Sequence, residues 1–351
     1  MSLVPTPAPP DGTEPVARTV GLTDEQRAMR RLGIGASDIP AICGLAAKRG
    51  PRTVWEDKVN GYQQPATEEM DFGHRFEDMA TRWFSDITRL GVVNQQRSAV
   101  HPTEPWAMAT LDGEVAEPRL ACPNCEPGTV IAPRHCFCRE CEHQTGFPIV
   151  GVLEIKSFNV VEDGDVKGDV LAQVLWQLYV TGLPTAWVFG LVGHAPQIRQ
   201  VHLADNTDNL AWIIEQAERF WFDHVVAGVP PAPTAADLPM LEGIPAVEET
   251  TVELATEVAE WWAERTELKA RMRADEKRSD QLDALIREAL GTATVGTIAG
   301  VPILTATTTT RTGLDTDAVR AAFPELAACR SLHTSTTYRT LRQPPKSRRT
   351  K

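Results

Sequence analysis

The feature that most constrains the fold of this chain is an apolar run that carries two charges. Residues 150–158 are short and apolar enough for a strand inside a buried sheet, yet the run contains Glu154 and Lys156. Two residues apart on a strand, these side chains leave the same face. A helical pattern follows at 170–180, closed by the stop signal Thr181-Gly182, and then a second apolar strand at 186–192. Upstream, 92–100 and 107–115 also read as strands, and a helix at 210–226 completes the pattern. The sequence therefore predicts a mixed α/β core.

The same elements carry chemistry. Asp112 precedes Gly113 at a strand end, where the missing side chain permits a turn and leaves the carboxylate facing a cleft. Two carboxylates and a lysine near strand ends are the parts needed to hold a hard divalent cation and activate water against a phosphodiester. In that reading Asp112 and Glu154 ligate Mg²⁺ or Mn²⁺, while Lys156 orients or deprotonates water and stabilises developing charge. An edge-strand salt bridge is the plainer explanation of the Glu154–Lys156 pair. Gln173 and Gln177 lie one turn apart on the following helix, either fixing water or phosphate beside the metal or simply facing solvent. An amphipathic helix is expected from 68 to about 90, with Met70, Phe72, Phe76, Met79, Ala80, Trp83 and Ile87 on its apolar stripe. Within it Glu77 adds an acidic ligand or water contact, or is a solvated neighbour of Arg75 or Arg82; His74 is similarly ambiguous, since imidazole suits softer metals better than Mg²⁺ and can simply hydrogen-bond at the helix surface. In the turn 33–40, Ser37 or Asp38 caps a helix whose first N–H groups can receive a DNA phosphate, although most such caps only satisfy their own backbone.

Between the acids lies a Cys-rich insert, 119–147. Cys122-x2-Cys125 and Cys138-x2-Cys141 are two chelating turns separated by twelve residues, a zinc-ribbon-like spacing. Four thiolates so placed surround a structural Zn²⁺ and fold a segment too polar to make its own core. Cys136 is an alternative ligand to Cys138, and an iron–sulfur cluster is the competing metal. Because four cysteines leave zinc no open position, this expected site is separate from the acidic one. Seven cysteines with five in one cluster do not resemble a disulfide framework, and Cys43 and Cys329 are expected to pack apolarly.

A formal charge of −12 argues against a generally basic nucleic-acid coat and predicts that any such binding depends on divalent metal and a local basic channel. Residues 1–24 read as a flexible arm, 25–230 as the core, 231–247 as a Pro-rich linker, 248–338 as a helical and β-hairpin region, and 339–351 as a basic tail. Within 248–290 a long helix or helix pair is expected, its apolar stripe facing a core or a partner subunit. The sequence contains no long apolar stretch and no signal-peptide pattern, so a reducing, cytoplasmic setting without a membrane is the default expectation.

Taken in order, Gly35-Ala36-Ser37-Asp38, Gly73-His74-Arg75-Phe76-Glu77, Leu111-Asp112-Gly113, Leu153-Glu154-Ile155-Lys156 and Gln173-x8-Gly182 resemble the YqaJ-like viral recombinase family, relatives of the phage lambda exonuclease in the PD-(D/E)XK nuclease superfamily. Leu314-Asp315-Thr316 and Ser335-Thr336-Thr337-Tyr338-Arg339 resemble the terminal part of larger members. The resemblance implies a restriction-endonuclease-like mixed sheet flanked by helices. Asp112, Glu154 and Lys156 then match the catalytic acids and lysine, Glu77 a further active-site acid, and Gln173 the active-site helix glutamine. Ser37 matches the phosphate-contacting turn, with Arg52 and Arg339 as weaker DNA-contact candidates. The implied activity is Mg²⁺-dependent digestion of linear double-stranded DNA from 5′ ends, leaving 3′ single strands for a single-strand annealing protein. Relatives can form a toroidal trimer, and the setting implied is a bacterial or phage-infected bacterial cell. Two other classes fit part of the pattern: a Cas4-like or RecB-like iron–sulfur nuclease, and a non-catalytic DNA-binding or assembly module.

Overall fold

The computed structural model describes residues 28–63, 68–117, 148–245, 251–310 and 316–324. The chain divides into two compact units, 1–244 and 245–351. In the first, five strands form a mixed sheet: β1 (Gly91–Val93), β4 (Gly113–Ala116), β5 (Ile149–Ile155), β8 (Thr185–Val192) and β9 (Ala195–His202), hydrogen-bonded in the order β1-β4-β5-β8-β9. Among the described strands of this sheet only the β5–β8 pair is parallel, and the crossover between them passes through helix α2 (Gly168–Thr181), while α1 (Glu68–Thr88) precedes the sheet. Gly182 ends α2 in the left-handed conformation, φ 68°, as its position after Thr181 predicts. Helix α3 (Thr207–Arg219) continues through a wider turn, Phe220–Val226, over the range expected for the last core helix.

Strand alternation divides the core in two. Val152, Ala186 and Val188 pack with Val174, Leu175 and Leu178 of α2 and with Ile213 and Ala217 of α3. Leu153, Ile155, Trp187 and Phe189 leave the other face and meet Phe76, Ala80 and Phe84 of α1. Each of these large side chains, fully buried, contributes about 1.5–3 kcal/mol relative to exposure. The stripe expected on α1 is thereby revised: Phe76 and Ala80 are buried with Phe84, but Phe72, Met79 and Ile87 are exposed.

The strands expected at 92–100 and 107–115 are each broken. Asn94 and Gln96 adopt left-handed φ of 49° and 57°, which separates β1 from β2 (Ser98–Val100). Leu111 and Asp112 separate β3 (Met108–Thr110) from β4, so β2 pairs with β3 while β1 pairs with β4. A two-residue strand pair, β6 (Val161–Glu162) and β7 (Asp165–Val166), lies before α2. Within 231–247, read as linker, Ala235–Asp237 and Leu238–Glu242 are helical, and buried Asp237 accepts Thr53 N and Oγ1, each at 2.7 Å, and Thr234 N and Oγ1 at 2.8 and 2.9 Å. These contacts tie the segment to the first unit.

The second unit contains one long helix, α4 (Glu257–Leu290), in place of the helix pair that was the alternative. None of its residues is buried, and Trp261 and Met272 are about two-thirds exposed, at 64% and 67%. Among the described residues, the apolar stripe therefore faces no core in this unit. A hairpin follows, β10 (Val295–Ile298) and β11 (Val301–Thr305), turned through Ala299 and Gly300, both at positive φ. Among the described residues, no helix is long and apolar enough to cross a membrane.

Candidate active site

Asp112 sits in the break between β3 and β4, and Glu154 near the end of β5. Since Gly113 pairs with Leu153 in antiparallel register, Asp112 emerges beside the Glu154–Ile155 step. Its Oδ2 accepts the Ile155 N–H at 2.7 Å. Gly113 leaves room for the neighbouring strand β1, because a Cβ there would lie 2.4 Å from Val92 Cγ1.

Glu154 and Lys156 share the face of β5 that meets α2, and their side chains pair, Lys156 Nζ to Glu154 Oε1 at 2.7 Å. Gln173 closes a three-membered network: its Nε2 donates to Glu154 Oε1 at 2.7 Å, and its Oε1 accepts Lys156 Nζ at 3.0 Å. Gln177, one turn deeper in α2, donates Nε2 to Glu154 Oε2 at 2.6 Å. Helix α2 is itself fixed by Trp176, fully buried, whose Nε1 donates to Met108 O at 3.0 Å. On α1, Glu77 interacts with His74 Nδ1 at 3.2 Å and accepts Gln96 Nε2 at 2.9 Å.

The electrostatics join these groups. Burial, reinforced by the charges of Glu154 and Glu77, raises the Asp112 carboxyl well above the usual carboxylate range; the Ile155 N–H opposes this. Burial also raises Glu77, with Glu154 and Asp78 adding to the effect and His74 opposing it. For Lys156, burial favours the neutral amine, but Glu154 and then Asp112 outweigh it and hold the ammonium above its ordinary range. Three acids and one lysine thus gather where the carboxylates repel one another, an arrangement that a bound cation relieves.

Among the described residues, no three carboxylate, histidine or cysteine groups already close around a common point. The donor chemistry nonetheless fits a small hard cation, because Mg²⁺ keeps several waters and takes one or two carboxylates plus substrate phosphate instead of a full protein cage. Asp112 and Glu154 are the residues that could hold it.

Ser37 lies apart from this network in a cationic turn. Its Oγ accepts Arg30 Nη2 at 2.9 Å, and its carbonyl accepts Arg49 Nη1 at 3.4 Å. Ser37 caps nothing; buried Asp38 accepts Gly35 N at 3.0 Å instead. Burial alone would raise Asp38, but Lys58, Arg49 and Arg30 hold it well below the usual range, with Lys58 Nζ at 2.6 Å and Arg49 Nη1 at 2.8 Å. Arg52 is engaged elsewhere, paired with Glu56 at 3.0 Å and stacked over Trp55. Arg339 and the cysteines Cys122, Cys125, Cys136, Cys138 and Cys141 lie outside the described residues.

Sequence reasoning overlooked Arg30, Arg49 and Lys58 at the Ser37 turn, and Glu114 on β4. Glu114 is buried, accepts Asn94 Nδ2 at 2.6 Å and pairs with Arg97, so it holds the loop between β1 and β2. Its spacing of two from Asp112 was the available signal.

Residues 26–184 match the family model for the YqaJ-like viral recombinase domain. Among solved structures, the chain is similar to an alkaline exonuclease, LHK-Exo, from Laribacter hongkongensis, at 18% identity and a TM-score of 0.43, covering 59% of this chain and 94% of that one. A phage-related exonuclease from Haemophilus somnus is similar at 10% identity and a TM-score of 0.37, covering 57% of this chain and 98% of that one. No curated protein matches the chain.

Proposed function

We propose, from the match of residues 26–184 to the YqaJ-like viral recombinase domain, that the protein is a divalent-metal-dependent DNA exonuclease. It hydrolyses linear double-stranded DNA from 5′ ends and leaves 3′ single-stranded tails for a strand-annealing partner. The observation that carries this reading is the Glu154–Lys156–Gln173 network standing beside Asp112 on adjacent strands.

Asp112 and Glu154 would hold Mg²⁺ or Mn²⁺, which when bound polarises the phosphate and lowers the pKa of a coordinated water. Lys156 is paired with Glu154 and raised by it above its ordinary range, which suits it to orienting the attacking water and stabilising charge on the phosphate. Gln173 touches both partners of the ion pair and sets their relative orientation. Glu77 adds a third acid, whose charge helps to raise the Asp112 carboxyl and which is itself raised in part by the charge of Glu154. At the Ser37 turn, Arg30 supplies a cation for a DNA phosphate, a role better suited to it than to Arg49 or Arg52, which are both paired with carboxylates.

The arrangement of α2 between parallel strands β5 and β8, with the acids at neighbouring strand ends, supports a restriction-endonuclease-like core. The Cys-rich insert is assigned a structural Zn²⁺ through Cys122, Cys125, Cys138 and Cys141, and the second unit a place in a homo-oligomer. The setting is the cytoplasm of a bacterial or phage-infected cell.

End-labelled linear duplex, incubated with Mg²⁺ and compared with closed circular DNA, tests the activity. Nucleotide release confined to linear molecules, beginning at 5′ ends and abolished by chelator, is the expected outcome. Equal cleavage of closed circles would replace exonuclease with endonuclease action, and full activity in Asp112→Ala or Glu154→Ala would remove this site from the reaction.

A further inference from the structure

Gln177 is fully buried in α2, among Val174, Leu175, Trp176, Leu178 and Val180. Its Nε2 donates to Glu154 Oε2 at 2.6 Å, while its Oε1 is a sealed acceptor with no hydrogen-bond partner among the described residues. Native interiors rarely leave such an atom unpaired, and each instance calls for a reason. The amide cannot relieve itself by flipping, because that would set Oε1 against a carboxylate oxygen. A methionine would fill the same space without an orphaned acceptor, so packing does not explain a glutamine here.

The two oxygens of Glu154 are treated differently. Among the described residues, Oε2 accepts a hydrogen bond only from buried Gln177, whereas Oε1 is shared by Lys156 and Gln173, both partly exposed. Gln173 and Gln177, one helical turn apart, therefore grip the carboxylate from its outer and inner oxygens. We infer that Gln177 is a positioning residue: by tethering Oε2 in the interior it fixes the rotation of the Glu154 carboxylate, so that its outer oxygen faces the cation and substrate. The inference rests on the reading of Glu154 as a metal ligand. Its physical basis is that partners behind a ligating carboxylate set the ligand's direction and hence the metal affinity.

The experiment uses the full chain and three readouts: Mn²⁺ binding by calorimetry, thermal unfolding, and steady-state cleavage of linear duplex. Wild type against Glu154→Ala first defines the Mn²⁺ site. If those two proteins bind Mn²⁺ alike and wild type does not cut, the metal-site reading itself has failed, independently of Gln177. With that site in place, Gln177→Met loses one orphaned acceptor but leaves Glu154 Oε2 without its donor, so it should stay folded and unfold somewhat below the wild-type temperature, and bind Mn²⁺ roughly 10–100-fold more weakly, with kcat reduced and KM for DNA unchanged. Should Gln177→Met not fold, Gln177→Asn, which keeps the amide but withdraws it by one methylene, is judged by the same criterion. Mn²⁺ affinity within about threefold of wild type in the folded variant falls below that range and overturns the inference, leaving Gln177 a packing residue. A larger loss supports it.

Discussion

Replacing Lys156 with methionine removes a charge and keeps most of the side-chain volume, so its two consequences can be separated. Nζ lies 2.7 Å from Glu154 Oε1 and 3.0 Å from Gln173 Oε1. Breaking a buried ion pair by deleting one partner costs about 3–5 kcal/mol when the other is left uncompensated. Here Glu154 keeps two amide donors, at 2.7 and 2.6 Å, and the lysine side chain is 21% exposed. The stability loss should therefore fall to about 1–2 kcal/mol, or roughly 3–6 °C in unfolding temperature for a unit of this size. The loss in turnover should be larger, about 10²–10³-fold, the cost of removing one preorganised donor from a developing anion. Cleavage of end-labelled duplex at saturating Mg²⁺, measured well below the unfolding temperature, reads the second effect without the first. Turnover within about threefold of wild type would be far outside that range and would refute the assignment of Lys156 to charge stabilisation. So would a defect that disappears on cooling, because it would then report unfolding.

Asp112→Asn should abolish cleavage yet stabilise the protein in chelator at neutral pH. The folded carboxyl holds its proton more tightly than the unfolded one, through burial and the charges of Glu154 and Glu77, so its ionisation costs stability as pH rises above about 3.9 and through the folded value. The gain in unfolding temperature should shrink toward pH 4, and a loss at neutral pH would contradict the argument. Asp237→Ala should destabilise the first unit by about 2–4 kcal/mol in urea unfolding, since four donors lose one charged acceptor. Those donors outweigh burial and lower the Asp237 pKa, so wild type should lose this contribution as pH falls below the ordinary carboxylate range, and the two proteins should converge in acid. Arg30→Gln leaves Asp38 paired with Lys58 and Arg49, and should weaken DNA binding while reducing the salt slope by about 0.9; an unchanged slope would exclude a phosphate contact. Metal analysis of the purified chain should find one zinc, lost in Cys122→Ser, whereas iron with visible absorbance would assign the insert to an iron–sulfur cluster.

The parts of the fold that were legible in the sequence are those governed by local period. Alternation along 150–158 places Leu153 and Ile155 against α1, and Val152 with Glu154 against α2, and the same rule puts Lys156 beside Glu154. The Thr181-Gly182 stop needs only the conformational freedom of glycine. What escaped depends on contacts distant in sequence. Asn94 and Gln96 break an apparently continuous strand because their loop is anchored to Glu114 and Glu77, about twenty residues away on either side. The exposed Phe72, Met79 and Ile87 satisfy a helical period as well as Phe76 and Phe84 do, and only the position of the sheet selects between the two faces. Likewise Asp38 looks like an ordinary cap until Lys58 and Arg49 are brought to it.

The same distinction explains how the site holds its geometry. Asp112, Glu154 and Gln173 belong to three segments, and no local preference could set their distances. Sheet register does so for the first two: the Gly113–Leu153 pair fixes Asp112 against the Ile155 N–H, and a slip of one residue in β5 would turn Glu154 and Lys156 onto the α1 face. Helix placement does so for the third, since Trp176 fastens α2 to the carbonyl of Met108, a β3 residue four positions before Asp112. Each mutual distance in the acidic network is thus tied to a backbone hydrogen bond or a fully buried ring. The polar groups that repel one another are held together by apolar packing on both faces of β5, which is why the acids can remain crowded at a strand end instead of turning outward to solvent.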